Sequence, residues 1–433
     1  LAVADLSTGD FFVTQITADS SLLLDELSHW RPRELLISRE QAAEFTWVKA
    51  RFPILLTLRS SHDFRLSNAE ERLRTHFQVA SLEGFGCHEL PAAISAAGAI
   101  LEYFYETQKS QLQHLLTLRT YHLGDFMHLD QFTRRNLELV TTLRDNKVQG
   151  SLLWALDRTV TSAGGRLLRT WLEQPLRNQE EIEDRLEKVE SFYRQHQLRE
   201  ETRSLLRRTC DLQRLLAKLA CGTVNPRELL TLGRTLSLLP ALRKQLIRDD
   251  MGPVAVLAEA INPLTDLAEL LTSALREEAP VLLTEGNIFR EGYDEELDAL
   301  IKASREGKQW IAGLEQQERE RTGIKSLKVG FNQVFGYYLE VTKANLSSVP
   351  EDYIRKQTLT NAERYITPEL KQYEEMILGA AEKRSALEYD LFIELRRRVL
   401  TVLLEMKRDA ELLAQIDVFA GLAETAVENH YIR

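Results

Sequence analysis

The sequence predicts a multidomain, mainly α protein. A small α/β unit comes first, then a helical body, then a long antiparallel pair of helical arms capped by a small antiparallel sheet. Three observations predict this. Strand-length apolar runs alternate with helical patterns only up to about residue 108. Apolar residues then recur every three or four positions from about 109 to 322, and again over 367–433. Between those stretches, from Ile324 to Lys343, the period drops to two.

In the first unit, 1–3, 11–13, 35–37 and 54–58 read as strands, the first two joined by Ser7-Thr8-Gly9-Asp10. Helical patterns intervene at about 19–29, 39–50 and 67–76, and 91–106 closes the unit. Such alternation favours one small sheet with helices packed against it. Over 109–322 the helical body is punctuated at Gly164-Gly165, Gln174-Pro175, Asn225-Pro226, Gly252-Pro253 and Asn262-Pro263. Its last helix opens the first arm.

Leu297, Leu300, Ser304, Gly307, Ile311 and Leu314 step by three and four along that arm. Ile366, Leu370, Tyr373, Ile377, Ala380, Arg384, Leu387 and Leu391 do the same on the way back. These are imperfect heptad seams, loosened by Gly307 and Arg384. An arm of roughly 30 residues reaches about 45 Å. The sheet between the arms spans 323–366. Leu327, Val329 and Phe331 share one face of its first strand, with Lys328 on the other. Tyr337, Leu339 and Val341 then alternate with Tyr338, Glu340 and Thr342. The second half runs over 353–359, a turn at Thr360-Asn361-Ala362, and Glu363-Arg364-Tyr365-Ile366. A sheet with so little core of its own is expected to touch a partner.

A content of 44% hydrophobic and 28% charged residues describes an ordinary folded protein. No apolar run is long enough to cross a bilayer. Cys87, Cys210 and Cys221 lie far apart, without zinc or disulfide spacing, so a reducing cytosolic location is the default. The net charge of −10 excludes a protein coated in basic surface. Locally the sign reverses: from Gly323 to Lys371 there are seven basic and five acidic residues, a net of +2. Leu1 reads as a strand already under way and Arg433 ends without a cap, so the sequence is expected to be a fragment.

That basic island makes the sheet the best candidate site. Lys328, Lys356 and Arg364 can neutralise phosphates, while Asn332, Gln333, Thr360 and Asn361 add neutral hydrogen bonds to a sugar-phosphate backbone. The competing reading makes them solvated strand faces and turn formers. Other sites are weaker. The Gly307-Lys308 pair is followed by Gln309 and preceded by Lys302 at the required position, so no phosphate-binding loop forms and no nucleotide cofactor is expected. Gly84-Phe85-Gly86 lacks a dinucleotide fingerprint. Asp5 and Asp10 flank the first hairpin as a carboxylate pair for magnesium would, but Asp10 suits the turn better. Cys87-His88 has no partner at ligand spacing. No metal ligand or catalytic residue is therefore assigned.

The stretch Lys328-Val329-Gly330-Phe331-Asn332-Gln333-Val334-Phe335-Gly336-Tyr337-Tyr338, with Arg355-Lys356-Gln357-Thr358-Leu359-Thr360-Asn361-Ala362-Glu363-Arg364-Tyr365-Ile366, resembles the clamp of the bacterial MutS family of DNA mismatch-recognition ATPases. Arg134-Arg135-Asn136-Leu137-Glu138-Leu139, Leu156-Asp157-Arg158-Thr159-Val160-Thr161 and Arg319-Glu320-Arg321-Thr322-Gly323 resemble other parts of it. The resemblance implies an RNase H-like connector at 1–108, a helical lever at 109–322 including the first arm, a β clamp at 323–366 and a returning arm at 367–433. It also implies a clamp that grips duplex DNA, mismatched or looped, without sequence preference. Further implications are a homodimer, a MutL-type partner, ATP and magnesium for the parent protein, and a nucleoid-associated bacterial cytoplasmic protein. The mismatch reader with its Phe-x-Glu wedge is expected before Leu1, and the ATPase domain after Arg433, so this stretch alone is expected not to be an enzyme. Phe104-Tyr105-Glu106 fits the wedge pattern, but it lies in a helical run and reads as buried helix. Two alternatives remain: a MutS-like protein acting on recombination junctions, and a coiled-coil scaffold whose sheet binds protein.

Overall fold

The computed structural model describes residues 1–433 apart from 18–19, 109–111, 113–114, 248–251 and 333–335. They divide into two units, Leu1–Val224 with Thr231–Leu270 and Arg398–Arg433, and Asn225–Leu230 with Leu271–Arg397.

In the first unit, β1 (Ala2–Asp5) and β2 (Asp10–Val13) pair antiparallel, with Asp5 opposite Asp10. Asp5 accepts the Ser7 N–H at 2.7 Å and Asp10 accepts the Thr8 hydroxyl at 2.5 Å, while Gly9 turns the chain at φ 73°. Both carboxylates therefore serve the hairpin. Among the described residues no group of three His, Cys, Asp or Glu side chains is placed to hold a metal ion. β3 (Glu34–Ser38) and β4 (Leu55–Arg59) form a separate parallel pair, and β5 (Arg119–Thr120) adds in parallel to β2. The single sheet expected from the alternation is thus two sheets. Each has its own core, one around Phe11, Val13 and Leu101, the other around Leu27, Val48 and Ile54. The helix expected over 39–50 is shorter, Thr46–Arg51. Ser38 interferes: its carbonyl and hydroxyl both take the Gln41 N–H, at 3.2 and 3.3 Å, and hold a turn instead. Asp19, at the expected start of another helix, lies outside the described residues; that helix is Ser20–Trp30.

Helices Leu66–Phe77 and Pro91–Gln108 approach so closely at Ala69 and Gly98 that a β-carbon on Gly98 would overlap the Ala69 side chain. Phe104 lies on the second of these helices, packed against the first core, and Glu106 pairs with Arg59 at 2.6 Å. The Phe-Tyr-Glu triplet is therefore helix, but only Phe104 is turned toward the core while Tyr105 and Glu106 are exposed, so the expectation of a buried helix holds for Phe104 alone. The long closing helix Leu403–Asn429 packs against several of the helices before it. Its fully buried Asp417 accepts the backbone N–H groups of Val160 (2.9 Å) and Thr161 (2.8 Å) and the Thr161 hydroxyl (2.6 Å). Thr161 in turn caps helix Ser162–Glu173 by accepting the Gly164 N–H at 3.0 Å. Among the described residues no helix is long and apolar enough to cross a membrane.

In the second unit the outgoing arm Glu295–Thr322 has 28 residues, giving about 42 Å of helix. Asp294 caps it by accepting the Leu297 N–H at 2.9 Å, and Gly323 ends it at φ 72°. The return arm is Pro368–Leu400. Predicted seam residues Ser304, Gly307, Ile311 and Leu314 are buried on one arm, as are Leu370, Ile377 and Ala380 on the other. The arms run antiparallel. A β-carbon on Gly307 would meet the Ile377 side chain, and Trp310 stacks on Tyr373 with centroids 3.7 Å apart. Between the arms stand β6 (Lys328–Asn332), β7 (Gly336–Thr342), β8 (Ile354–Thr358) and β9 (Ala362–Ile366), all pairs antiparallel, in the order β6-β7-β9-β8.

Candidate nucleic-acid interface

The alternation of β7 decides how the sheet sits. Leu339 and Val341 are fully buried and Tyr337 half-buried, and they join Ile311, Leu314, Leu370 and Ile377 of the arms in one apolar cluster. The opposite face is polar. Across it Lys328 pairs with Glu340, Glu340 with Arg364 and Arg364 with Gln357, so one transverse row carries a residue from each strand.

Carboxylates fasten the sheet to both arms. Glu315 of the outgoing arm accepts the Val329 N–H at 3.1 Å, and the buried Glu318 accepts the Tyr353 hydroxyl at 2.7 Å. Burial and Glu318 together push the Tyr353 phenol well above its ordinary range. On the return arm Glu374, itself buried, accepts the Tyr337 N–H at 2.7 Å. Inside the sheet the Tyr365 hydroxyl donates to Glu363 at 2.6 Å, and burial with that carboxylate pushes the phenol up to about 12.

The predicted site residues do not gather at a single tip. Lys328 opens β6 at one end of the sheet, beside the end of β7 and the three-residue loop Leu359-Thr360-Asn361 that joins β8 to β9. Thr360 and Asn361 are both exposed, and the Asn361 carbonyl accepts the Lys343 N–H at 3.1 Å. Asn332 is half-buried and closes β6 at the opposite end, opposite Gly336. Gln333 follows it and lies outside the described residues. Lys356 sits exposed on the far edge strand, in the register irregularity between Arg355 and Gln357. Three strand spacings separate the edges bearing Lys328 and Lys356, about 14 Å.

Arg364 stands at the middle of the polar face and is held from three sides. Its Nε donates to Glu340 at 3.0 Å, one Nη donates to Gln357 at 2.9 Å, and the guanidinium lies 4.2 Å from the centroid of the Tyr338 ring. Tyr338 in turn lies over Gly330, where a β-carbon would come within 2.7 Å of the ring. A side chain held this way loses little entropy on meeting an anion with its remaining donors.

Ion pairing sorts the local cations. Arg355 pairs with Glu363, Arg364 with Glu340 and Lys371 with Glu374. Lys325, Lys328, Lys343 and Lys356 are exposed and make no ion pair among the described residues. Lys325 and Lys343 are the residues that sequence reasoning left out of the site. The available signal was their position: Lys325 lies three residues before β6 and Lys343 directly after β7, where the neighbouring turn brings it to Asn361.

The sequence matches known proteins along most of its length. Residues 1–116 match the family model of MutS domain II, and residues 132–423 match that of MutS domain III. The chain is 45% identical over 430 residues to the DNA mismatch repair protein MutS of Halothermothrix orenii, covering 99% of this chain and 48% of that protein. It is 46% identical to the DNA mismatch repair protein MutS of Symbiobacterium thermophilum, over all of this chain and 50% of that protein. The chain spans about half the length of the curated relatives it matches.

Proposed function

Because the chain belongs to the MutS family, we propose that it serves DNA mismatch repair by gripping duplex DNA through the sugar-phosphate backbone with the four-stranded sheet. The observation that carries this is the polar face itself. It combines exposed lysines at both edges, without ion pairs among the described residues, with an arginine held in place at the centre, on a sheet fastened to two arms. The separation of about 14 Å between its edges spans about four phosphates of one strand, at 3.4 Å of rise each. Contacts of this kind neutralise charge and fix position without reading bases. ATP with magnesium, a second copy of the protein and a MutL-type partner act with this grip through other parts of the family's proteins, in the bacterial cytoplasm at the nucleoid. These 433 residues hold DNA and do not themselves hydrolyse ATP.

Charge reversal at the two edges tests the reading. Lys328→Glu with Lys356→Glu is expected to weaken duplex binding and to lower the slope of log affinity against log salt by about 2, one for each phosphate no longer neutralised. Matched and mismatched duplexes should lose affinity alike. An unchanged slope in fluorescence anisotropy across a salt series overturns the proposal.

A further inference from the structure

Away from the sheet, the two arms leave a groove of about 410 Å³ between them. Its lining includes Arg305, Lys308 and Arg384 as cations, Ser304 and Gln309 as neutral donors, and no acidic residue. Packing does not fill this space, for a reason visible in the seam. Gly307 lets the arms close against Ile377, and Trp310 stacked on Tyr373 closes them again one turn further on. Toward Ser304 the open space is lined by this small seam residue and by Arg384, a seam position where a coiled coil ordinarily takes an apolar side chain.

The charges around the groove are only partly compensated, since Arg384 and Arg305 each have a carboxylate partner and Lys308 has none among the described residues. Arg384 donates through Nη2 to Asn287 Oδ1 at 2.6 Å and lies 3.4 Å from Glu388, while its Nε is buried with no hydrogen-bond partner among the described residues. Glu388 already accepts the backbone N–H groups of Asn287 and Ile288, at 2.9 and 3.2 Å. Lys308 makes no ion pair among the described residues, and the nearest carboxylate to Arg305 is the exposed Glu291 at 3.9 Å. The buried Nε is out of reach of the groove, so an anion there meets the part of the Arg384 side chain that stays exposed, together with the exposed Arg305 and Lys308.

We infer that this groove binds a phosphate group, held by Arg305 and Lys308 from the outgoing arm and Arg384 from the return arm. The site is separate from the sheet and does not depend on the reading of the sheet as a DNA grip. Its phosphate comes from a nucleic-acid backbone or from a free polyphosphate, and the two arms of the test separate these sources.

The test compares the whole chain with Arg305→Glu plus Lys308→Glu, in the wild-type background and in the Lys328→Glu, Lys356→Glu background. The probes are sodium pyrophosphate in isothermal titration calorimetry and labelled duplex in anisotropy across a salt series. Saturable pyrophosphate binding that the groove variant abolishes supports a free polyphosphate site. A duplex salt slope lowered by about 1 in both backgrounds, for the one phosphate no longer held, supports a backbone phosphate. If the sheet reading fails, the edge substitutions leave the slope unchanged while the groove substitutions still lower it. Should the charge-reversed pair misfold by circular dichroism, Arg305→Gln with Lys308→Gln replaces it with the same expectations. Absence of both effects in a folded variant overturns the inference.

Discussion

Glu374→Ala tests whether the return arm holds the sheet in place. Glu374 accepts the Tyr337 N–H at 2.7 Å, its side chain is only 4% exposed, and Gly336 at φ 76° lies so near that a β-carbon there would overlap the carboxylate. Removing the carboxylate leaves that N–H without its charged acceptor, a loss of about 1.5–3 kcal/mol. The ion pair with Lys371 adds little, because the lysine is nearly half exposed. A middle figure of about 2 kcal/mol corresponds to a rise of about 30-fold in the opening equilibrium at that amide. Hydrogen exchange at the Tyr337 amide is the assay, with the Leu339 and Val341 amides of the same strand as internal controls. Protection should fall at Tyr337 and persist at the controls, and Glu374→Gln, which keeps an acceptor, should recover most of it. Unchanged protection at Tyr337, or equal loss across the strand, refutes the argument that a single carboxylate fastens this corner.

Three further substitutions probe the first unit. Burial pushes the Asp409 carboxyl up to about 6 from 3.8, although it accepts the Asn262 N–H at 3.0 Å. A carboxyl whose folded value exceeds its unfolded one costs stability as the pH rises between the two values, and in full above the higher, here about 3 kcal/mol. Asp409→Asn is therefore expected to raise the calorimetric unfolding temperature at pH 7 and to lose that advantage near pH 4; a pH-independent difference contradicts it. Gly98→Ala drives a methyl into Ala69, an overpacking of about 1–3 kcal/mol that exceeds the helix-propensity gain of up to about 1 kcal/mol. Denaturant titration should show net destabilisation, and a more stable variant argues against the close approach. Asp417→Ala strands two backbone donors and a hydroxyl, with an expected loss of about 3 kcal/mol or more in the same titration. Asp417→Asn should restore part of it, and near-neutrality of the alanine variant would show that the donors find other partners.

Much of this architecture was legible from local pattern. The strand positions in the first unit, the seams of the two arms and the switch to alternation at the sheet all follow from where apolar side chains recur. Those periods reflect backbone geometry, so Leu339 and Val341 had to face the same way whatever lay beneath them. The buried acids were not legible. Glu318, Glu374, Glu388, Asp409 and Asp417 lie in the interior or at element junctions, yet each belongs to a residue type that a hydropathy reading assigns to the surface. The pairing of β5 with β2 was equally hidden, since it joins Thr120 to Val13 across the whole of the first unit.

Local pattern alone settles which segments become arms, which become strands, and that a basic island sits in the sheet between the arms. Which of those cations are available depends on the folded chain. Folding sets Arg364 between Glu340, Gln357 and Tyr338, pairs Arg355 and Lys371 with acids, and leaves Lys325, Lys328, Lys343 and Lys356 exposed without ion pairs among the described residues. The physical reason is range. Periodicity acts through neighbours three or four residues apart, whereas a charge is paired or left free by whichever carboxylate the fold brings within about 4 Å of it.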